Sequence, residues 1–411
     1  MLPSLAGGGA ERSVLTLARG LIDRGHEVDL IFFRTLVHYP KEVPKEARLF
    51  ALKVNESDKF TQENAADVLT RLVQLRPRWK GNWFRLASAL HWDPLCMLSR
   101  PDNLSQLFDQ ACAVASYMAD ENPDCILPVL QEPHIATLLA CRLVRESPPI
   151  VPCFRNAVRF RRPRYKRRFR CLLASATHFT AVSQGVADDA AAEIGIPREK
   201  ITAIYNPIFT PDLQIKMKEL PNHPWLLDNG SPVVLAVGRL AKQKDYPTLL
   251  RAFSRLSSQR PCRLVILGSD DDVPRRKLEA LVQALRLENR VSLPGWTENP
   301  FAFMSRASLF VLSSRYEGLP GVLVQALACG CPCVSTDCLA GPAEILQDGK
   351  LGLLVPVGDE VALAEAMRRT LDQPPDRRML QQRAAFFSIE RAVGAYEQLI
   401  SGVTNRLESV S

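Results

Sequence analysis

The stretch Leu309-Phe-Val-Leu-Ser-Ser-Arg-Tyr-Glu317-Gly-Leu-Pro320-Gly-Val-Leu-Val-Gln325-Ala-Leu-Ala-Cys-Gly330 reads as an apolar strand, a turn carrying Glu317, and a helix beginning near Pro320. A proline at the first helical position lacks an N–H donor but presets the turn. The amides of Gly321 and Val322 are then left to face an anion, helped by the helix dipole. A phosphate-sized ligand is predicted there. Working outward, apolar runs alternate with longer segments of helical period from residue 231 to 371, the pattern of a parallel sheet covered on both faces.

Strands are expected at 233–237, 263–267, 291–293, 309–312, 333–335 and 351–355, which makes one doubly wound domain. The N-terminal half is less regular but has the same parts at 28–33, 125–129, 150–153, 179–182 and 201–205, and predicts a second such domain. Asn206-Pro-Ile followed by Glu219-Leu-Pro-Asn-His-Pro-Trp225 is proline-rich without strand period and reads as a linker.

With 411 residues, 46% of them apolar, the chain can bury two cores of roughly 200 residues each. Its net charge is 52 minus 44, or +8, and much of it is local. Eleven cysteines include no Cys-x-x-Cys pair, so free thiols in a reducing cytoplasm are expected rather than a zinc site. No apolar run reaches the ~20 residues of a membrane-spanning helix.

Met1-Leu-Pro-Ser leads almost directly into Gly7-Gly-Gly9 and a helix over 10–24. A doubly wound sheet has its first strand at the centre, and its absence would leave two neighbours unpaired. No strand is expected before the glycines here, which points to a natural reading frame that starts upstream or to a chain compromised in folding.

A second charged turn, Ala236-Val-Gly238-Arg239-Leu-Ala-Lys-Gln-Lys244-Asp-Tyr-Pro247, ends a strand and enters a helix. Arg239 offers a fork and Lys244 a compact charge, a pair suited to a diphosphate. Ser335-Thr-Asp-Cys-Leu-Ala-Gly341-Pro-Ala-Glu344 is another strand end and helix start, either beside the same crevice or simply a capped turn. Between Arg155 and Arg170 nine of sixteen residues are basic and none is acidic. This is an anion-facing surface, suited to anionic lipid or a lipid diphosphate, with no recognised nucleic-acid module. Trp79 to Trp92, with aromatics at both ends of an apolar stretch, fits an interfacial segment or plain core. His134 in Glu132-Pro-His-Ile is either an acceptor-side group or structural. No cluster has metal-ligand spacing, and no catalytic metal is expected.

These turns together resemble the donor-binding signature of glycosyltransferase family 4, the retaining GT-B enzymes: Ser313-Ser-Arg-Tyr-Glu317-Gly-Leu-Pro, Ala328-Cys-Gly-Cys-Pro332, and Gly238-Arg239 with Lys244. The resemblance covers nearly the whole chain and is densest from Val233 to Asp359. It implies an α/β GT-B fold of two doubly wound Rossmann-like domains facing across a cleft, with a C-terminal helix crossing back to the N-terminal domain. The expected divisions are 1–209 for the acceptor-side domain, 210–230 for the linker, 231–375 for the nucleotide-sugar domain and 376–411 for the helices that return.

The resemblance assigns Glu317, Arg239 and Lys244 as catalytic. It assigns Gly238, Gly318, Leu319, Gly321, Val322, Gln325, Gly8 and Gly9 as donor-binding, with His134, Arg155 and Asn156 on the acceptor side. The family places a second glutamate eight residues after the first, where this chain has Gln325. Loss of that charge weakens ribose binding by about 1 to 2 kcal/mol, roughly tenfold. The implied reaction moves a hexose or N-acetylhexosamine, with retention and without a metal or cofactor, from a nucleotide diphosphate sugar, a UDP-sugar, to a glycan or polyprenyl-linked acceptor in cell-surface polysaccharide synthesis. The implied place is the cytoplasm, at the inner face of the membrane, with a peripheral contact through 155–170 and no nucleic acid. A sugar-nucleotide epimerase or phosphorylase on the same fold, or a non-catalytic binding relative, remain alternatives.

Overall fold

The computed structural model describes residues 1–4, 8–34, 40–52, 72–75, 104–228 and 230–408. Gly7 and the Trp79–Trp92 segment lie outside them. The chain divides into two compact units: residues 1–182, 186–205 and 392–411 form the first, and 183–185 with 206–391 the second.

In the first unit β1 (Asp29–Phe32), β2 (Arg48–Ala51) and β3 (Leu72–Gln74) run parallel in that order. So do β4 (Cys153–Phe154), β5 (Phe179–Ala181) and β6 (Ile201–Ala203). No strand precedes the glycines among the described residues, but Leu2 forms an isolated parallel bridge to Phe32 of β1. Leu2 N donates to Ile31 O at 2.9 Å and Leu2 O accepts from Phe33 N at 3.1 Å, while Met1 O accepts from Val129 N at 3.0 Å. Met1 to Pro3 therefore pair on both sides, and the backbone groups of β1 and of the segment around Val129 are satisfied there. Val129 in turn bridges Cys153 at the start of β4. The helix Gly9–Ile22 follows, with Gly8 in extended conformation as its N-cap.

The second unit holds β7 (Val233–Val237), β8 (Arg263–Leu267), β9 (Val291–Gly295), β10 (Leu309–Leu312), β11 (Cys333–Thr336) and β12 (Leu353–Val355). All pairings are parallel, in the order β12-β11-β10-β7-β8-β9. The chain runs outward from β7 to β9, returns to lie beside β7 as β10, and winds the other way. The β7–β10 boundary is thus the topological switch point, where open α/β sheets leave a crevice at the carboxyl ends of their strands. β10 is buried on both faces, as its unbroken apolar run requires. The core beneath unites Leu249, Phe253 and Leu256 of the helix Tyr246–Gln259 with Leu363 and Met367 of the helix Glu360–Asp372.

The segment read as a linker, 210–230, packs onto the second unit through specific polar contacts of its described residues 216–223. His223 Nε2 meets Ser292 Oγ at 3.0 Å, and Asn299 Nδ2 donates to Lys216 O at 2.9 Å and to Glu219 at 2.7 Å. Proline removed the strand period without preventing docking. The helix Arg377–Ala385 also stays with the second unit, where Arg383 Nη2 donates to Glu344 O at 2.6 Å. Only 392–411 group with the first unit, where Tyr396 meets Cys153 Sγ at 3.1 Å.

Nine described cysteines are free thiols, seven of them buried. Burial pushes Cys329 and Cys338 up to about 12. The expectation of free thiols fails at Cys171, which is disulfide-bonded. Unlike the buried cysteines it sits at an exposed helix end, where oxidation can reach it.

Candidate functional site

Both charged turns of the second unit leave the sheet at the switch point, one after β7 and one after β10. Lys244 closes a short 3-10 turn, Lys242–Lys244, and its Nζ donates to Glu317 Oε1 at 2.6 Å. The pair is nearly buried, with side-chain exposures of 14% and 8%. The same Oε1 accepts from Ser314 Oγ at 2.7 Å. Neither bond uses Oε2, and an ammonium with three donors has two beyond this bond.

The turns are tied together by further contacts. Gln243 Nε2 donates to Tyr316 O and Arg315 N to Gln243 O, both at 2.8 Å, and Ser313 Oγ donates to Lys244 O at 2.7 Å. Asp245 is left-handed at φ +47°, a strained conformation for a non-glycine, and its carboxylate accepts from Arg315 Nε and Thr248 Oγ1, each at 3.0 Å. These bonds fix where Lys244 points, which residue types at their spacing in sequence did not reveal.

Gly238 directly follows β7, and its carbonyl accepts from the Tyr246 hydroxyl at 2.8 Å. A Cβ on Gly268, at the end of β8, would lie 1.9 Å from that carbonyl oxygen. Gly268 was not among the expected site residues, although glycine at a strand end is the signal for such a close approach. Arg239, expected on the diphosphate, has another partner here. It is half exposed and pairs with Asp271 after β8.

The helix after Glu317 runs Gly321–Ala328, and Pro320 is its N-cap rather than its first residue. No side chain caps it, so the first-turn amides, Gly321 and Val322 among them, rely on other partners. Gly318 and Leu319 are buried in the turn. A Cβ on Gly341 would stand 2.6 Å from Pro320 Cδ and 2.8 Å from Gly318 O, and its φ is +92°. Gly341 thus belongs to the wall of this turn. Glu344 accepts from the amides of Gln184 at 2.9 Å and Gly185 at 2.8 Å. Gln325 is half-buried in the same helix as the amides.

In the first unit, Gly8 and Gly9 open a helix whose Arg12 pairs with Glu42. His134, Arg155 and Asn156 come together around a small cavity with Gln131, Arg161 and Tyr165. The cavity does not make His134 an acceptor group. Its Nε2 donates to Cys153 O at 3.0 Å, so Nδ1 accepts from the Tyr165 hydroxyl at 2.9 Å. Burial lowers it to about 3, and both nitrogens are used in holding the core.

The basic stretch is also partly neutralised. Buried Asp189 accepts from Arg159 Nε at 2.6 Å, and Lys166 pairs with Glu193 at 2.5 Å. Among the described residues no group of three or more His, Cys, Asp or Glu is placed to hold a metal, and no helix is long and apolar enough to cross a membrane.

Two families match the chain in tandem: Glycosyltransferase Family 4 over residues 7–210 and Glycosyl transferases group 1 over 219–385. A Campylobacter jejuni relative, N-acetylgalactosamine-N,N'-diacetylbacillosaminyl-diphospho-undecaprenol 4-alpha-N-acetylgalactosaminyltransferase, is 33% identical over 53% of this chain and 58% of its own. The lipopolysaccharide 1,6-galactosyltransferase of Escherichia coli K12 is 29% identical over 46% and 50%. The chain spans about half the length of the curated relatives it matches. Among solved structures, a Rickettsia africae glycosyltransferase shares the fold at a TM-score of 0.71 and 14% identity, covering 98% of this chain and 97% of its own. Anabaena HepE in complex with UDP does so at 0.68 and 18%, covering 98% and 99%.

Proposed function

Since the chain belongs to the group 1, family 4 glycosyltransferases, we propose that it transfers a hexose or N-acetylhexosamine from a nucleotide diphosphate sugar, a UDP-sugar, to a glycan or polyprenyl-linked acceptor in cell-surface polysaccharide synthesis. The observation that carries this is the Lys244–Glu317 pair, nearly buried at the β7–β10 switch point beside uncapped helix amides. Lys244 and Arg239 hold the diphosphate, aided by the amides of Gly321 and Val322, and stabilise its charge as it departs. Glu317 Oε2 accepts a hydroxyl of the sugar and orients it. Gln325 receives a ribose hydroxyl without charge assistance.

The bond from the anomeric carbon to the leaving diphosphate breaks as the bond to the acceptor oxygen forms on the same face. The acceptor proton passes to the departing phosphate oxygen, so configuration is retained. Cationic side chains supply the charge a metal would otherwise provide. The nine described free thiols fit a cytoplasmic setting, and the disulfide at Cys171 stands against it. The basic face of 155–170 supports a peripheral contact with the membrane's inner surface.

The test incubates the purified chain with UDP-sugars and a lipid-linked acceptor while UDP release and product anomer are followed. Release that is lost about 100-fold or more in Lys244→Ala supports transfer. Gln325 favours a second reading as a binding-only relative, and UDP-sugar binding without any turnover would establish that reading instead.

A further inference from the structure

The basic side chains of the helix Pro163–Cys171 sort by face. Tyr165 and Phe169 enter the core. Lys166 pairs with Glu193, and Arg170 donates to the carbonyls of Glu193 at 2.6 Å and Ile194 at 3.2 Å. Arg164 and Arg168, one turn apart, do neither. The Nε and Nη2 atoms of both are withdrawn from solvent and have no hydrogen-bond partner.

Those two atoms form the side-on fork with which a guanidinium grips an oxyanion through two parallel bonds. The unsatisfied atoms are therefore the matched binding edge of each side chain. Like charges at i and i+4 repel, and desolvating an unpaired guanidinium is costly. Burial, then the nearby Arg164 and Arg167 charges, lowers the pKa of Arg168. Two forks carrying two positive charges match a phosphate dianion or a diphosphate better than a single carboxylate.

We propose that Arg164 and Arg168 form a phosphate-binding clamp on the first unit, separate from the donor turns of the second. It narrows the anion-facing surface of 155–170 to two side chains, and rests on the functional reading only for the phosphate's source. That source is either the diphosphate of a lipid-linked acceptor or a lipid headgroup, the chemistry being shared.

The full chain is titrated calorimetrically with inorganic pyrophosphate, and its flotation is measured with vesicles of phosphatidylcholine alone or mixed with phosphatidylglycerol. Pyrophosphate binding should persist in Lys244→Ala, which weakens the donor turns, and in that background should fall about tenfold or more on adding Arg164→Gln/Arg168→Gln. If vesicle binding falls with it, the clamp takes headgroups as well; if only pyrophosphate binding falls, the clamp serves a diphosphate away from the bilayer surface. Unchanged pyrophosphate binding on adding the glutamine pair to Lys244→Ala overturns the proposal, as does a lower melting temperature for the glutamine pair, which would show that the arginines are structurally partnered. Failure of the donor reading appears separately, as unchanged UDP-sugar turnover in Lys244→Ala.

Discussion

Lys244 Nζ donates to Glu317 Oε1 at 2.6 Å, and the two residues come from turns 73 positions apart that meet where the strand order reverses. The bond makes each side chain the other's counter-ion in a nearly buried site. It also leaves Glu317 Oε2 and two Lys244 donors to a ligand.

Removing one partner strands the other. Lys244→Ala should lower stability of the second unit by about 3 to 5 kcal/mol, whereas Glu317→Gln, which keeps an acceptor for Lys244, should cost less. Calorimetric unfolding of both variants measures the difference. Equal, small losses would mean the pair is solvated and unimportant to the turn.

Gly268→Ala places a methyl where Gly238 O now sits, 1.9 Å from the ideal Cβ position. Overpacking of this kind costs about 1 to 3 kcal/mol. The shift should move Gly238 and Arg239 and weaken UDP binding along with the melting temperature. A variant that melts and binds like the parent would contradict the close approach.

Gln325→Glu restores the charge at the position where the family carries its second glutamate. UDP affinity should rise about tenfold, read by titration calorimetry. No change would place Gln325 away from the ribose.

His134 is held neutral by burial, at about 3 against an ordinary 6.5. The unfolded chain binds this proton more readily, so the stabilisation is fully present above pH 6.5 and is lost as pH falls toward 3. The slope is about 1.4 kcal/mol per pH unit. His134→Gln should flatten it, and the His134 ring resonances should not titrate between pH 8 and 5. An inflection near 6.5 would contradict the buried, doubly bonded ring.

The second unit was more legible in sequence than the first, for a physical reason. A strand buried on both faces must be apolar throughout, so β7 and β10, and β8 after its opening Arg263, stand out in the sequence with the ends the structure gives them. β2 and β3 were not seen: the first opens on exposed Arg48, and the second is three residues long with Val73 half exposed. At the site, Lys244 and Glu317 could be picked out because a cation and a carboxylate stand in strand-to-helix turns that are visible in the sequence. Ser314, Asp245 and Gly268 could not, because their roles depend on which strands become neighbours. Nothing in a proline-rich segment such as 219–225 reveals that His223 will find Ser292.

The most direct test of the central claim is a crystal structure of the chain with UDP bound. The β-phosphate should lie within hydrogen-bonding distance of Lys244 Nζ and of the Gly321 and Val322 amides, with Glu317 Oε2 open toward the sugar position. UDP bound away from the β7–β10 switch point, with the Lys244–Glu317 bond untouched and no phosphate near those amides, would contradict it.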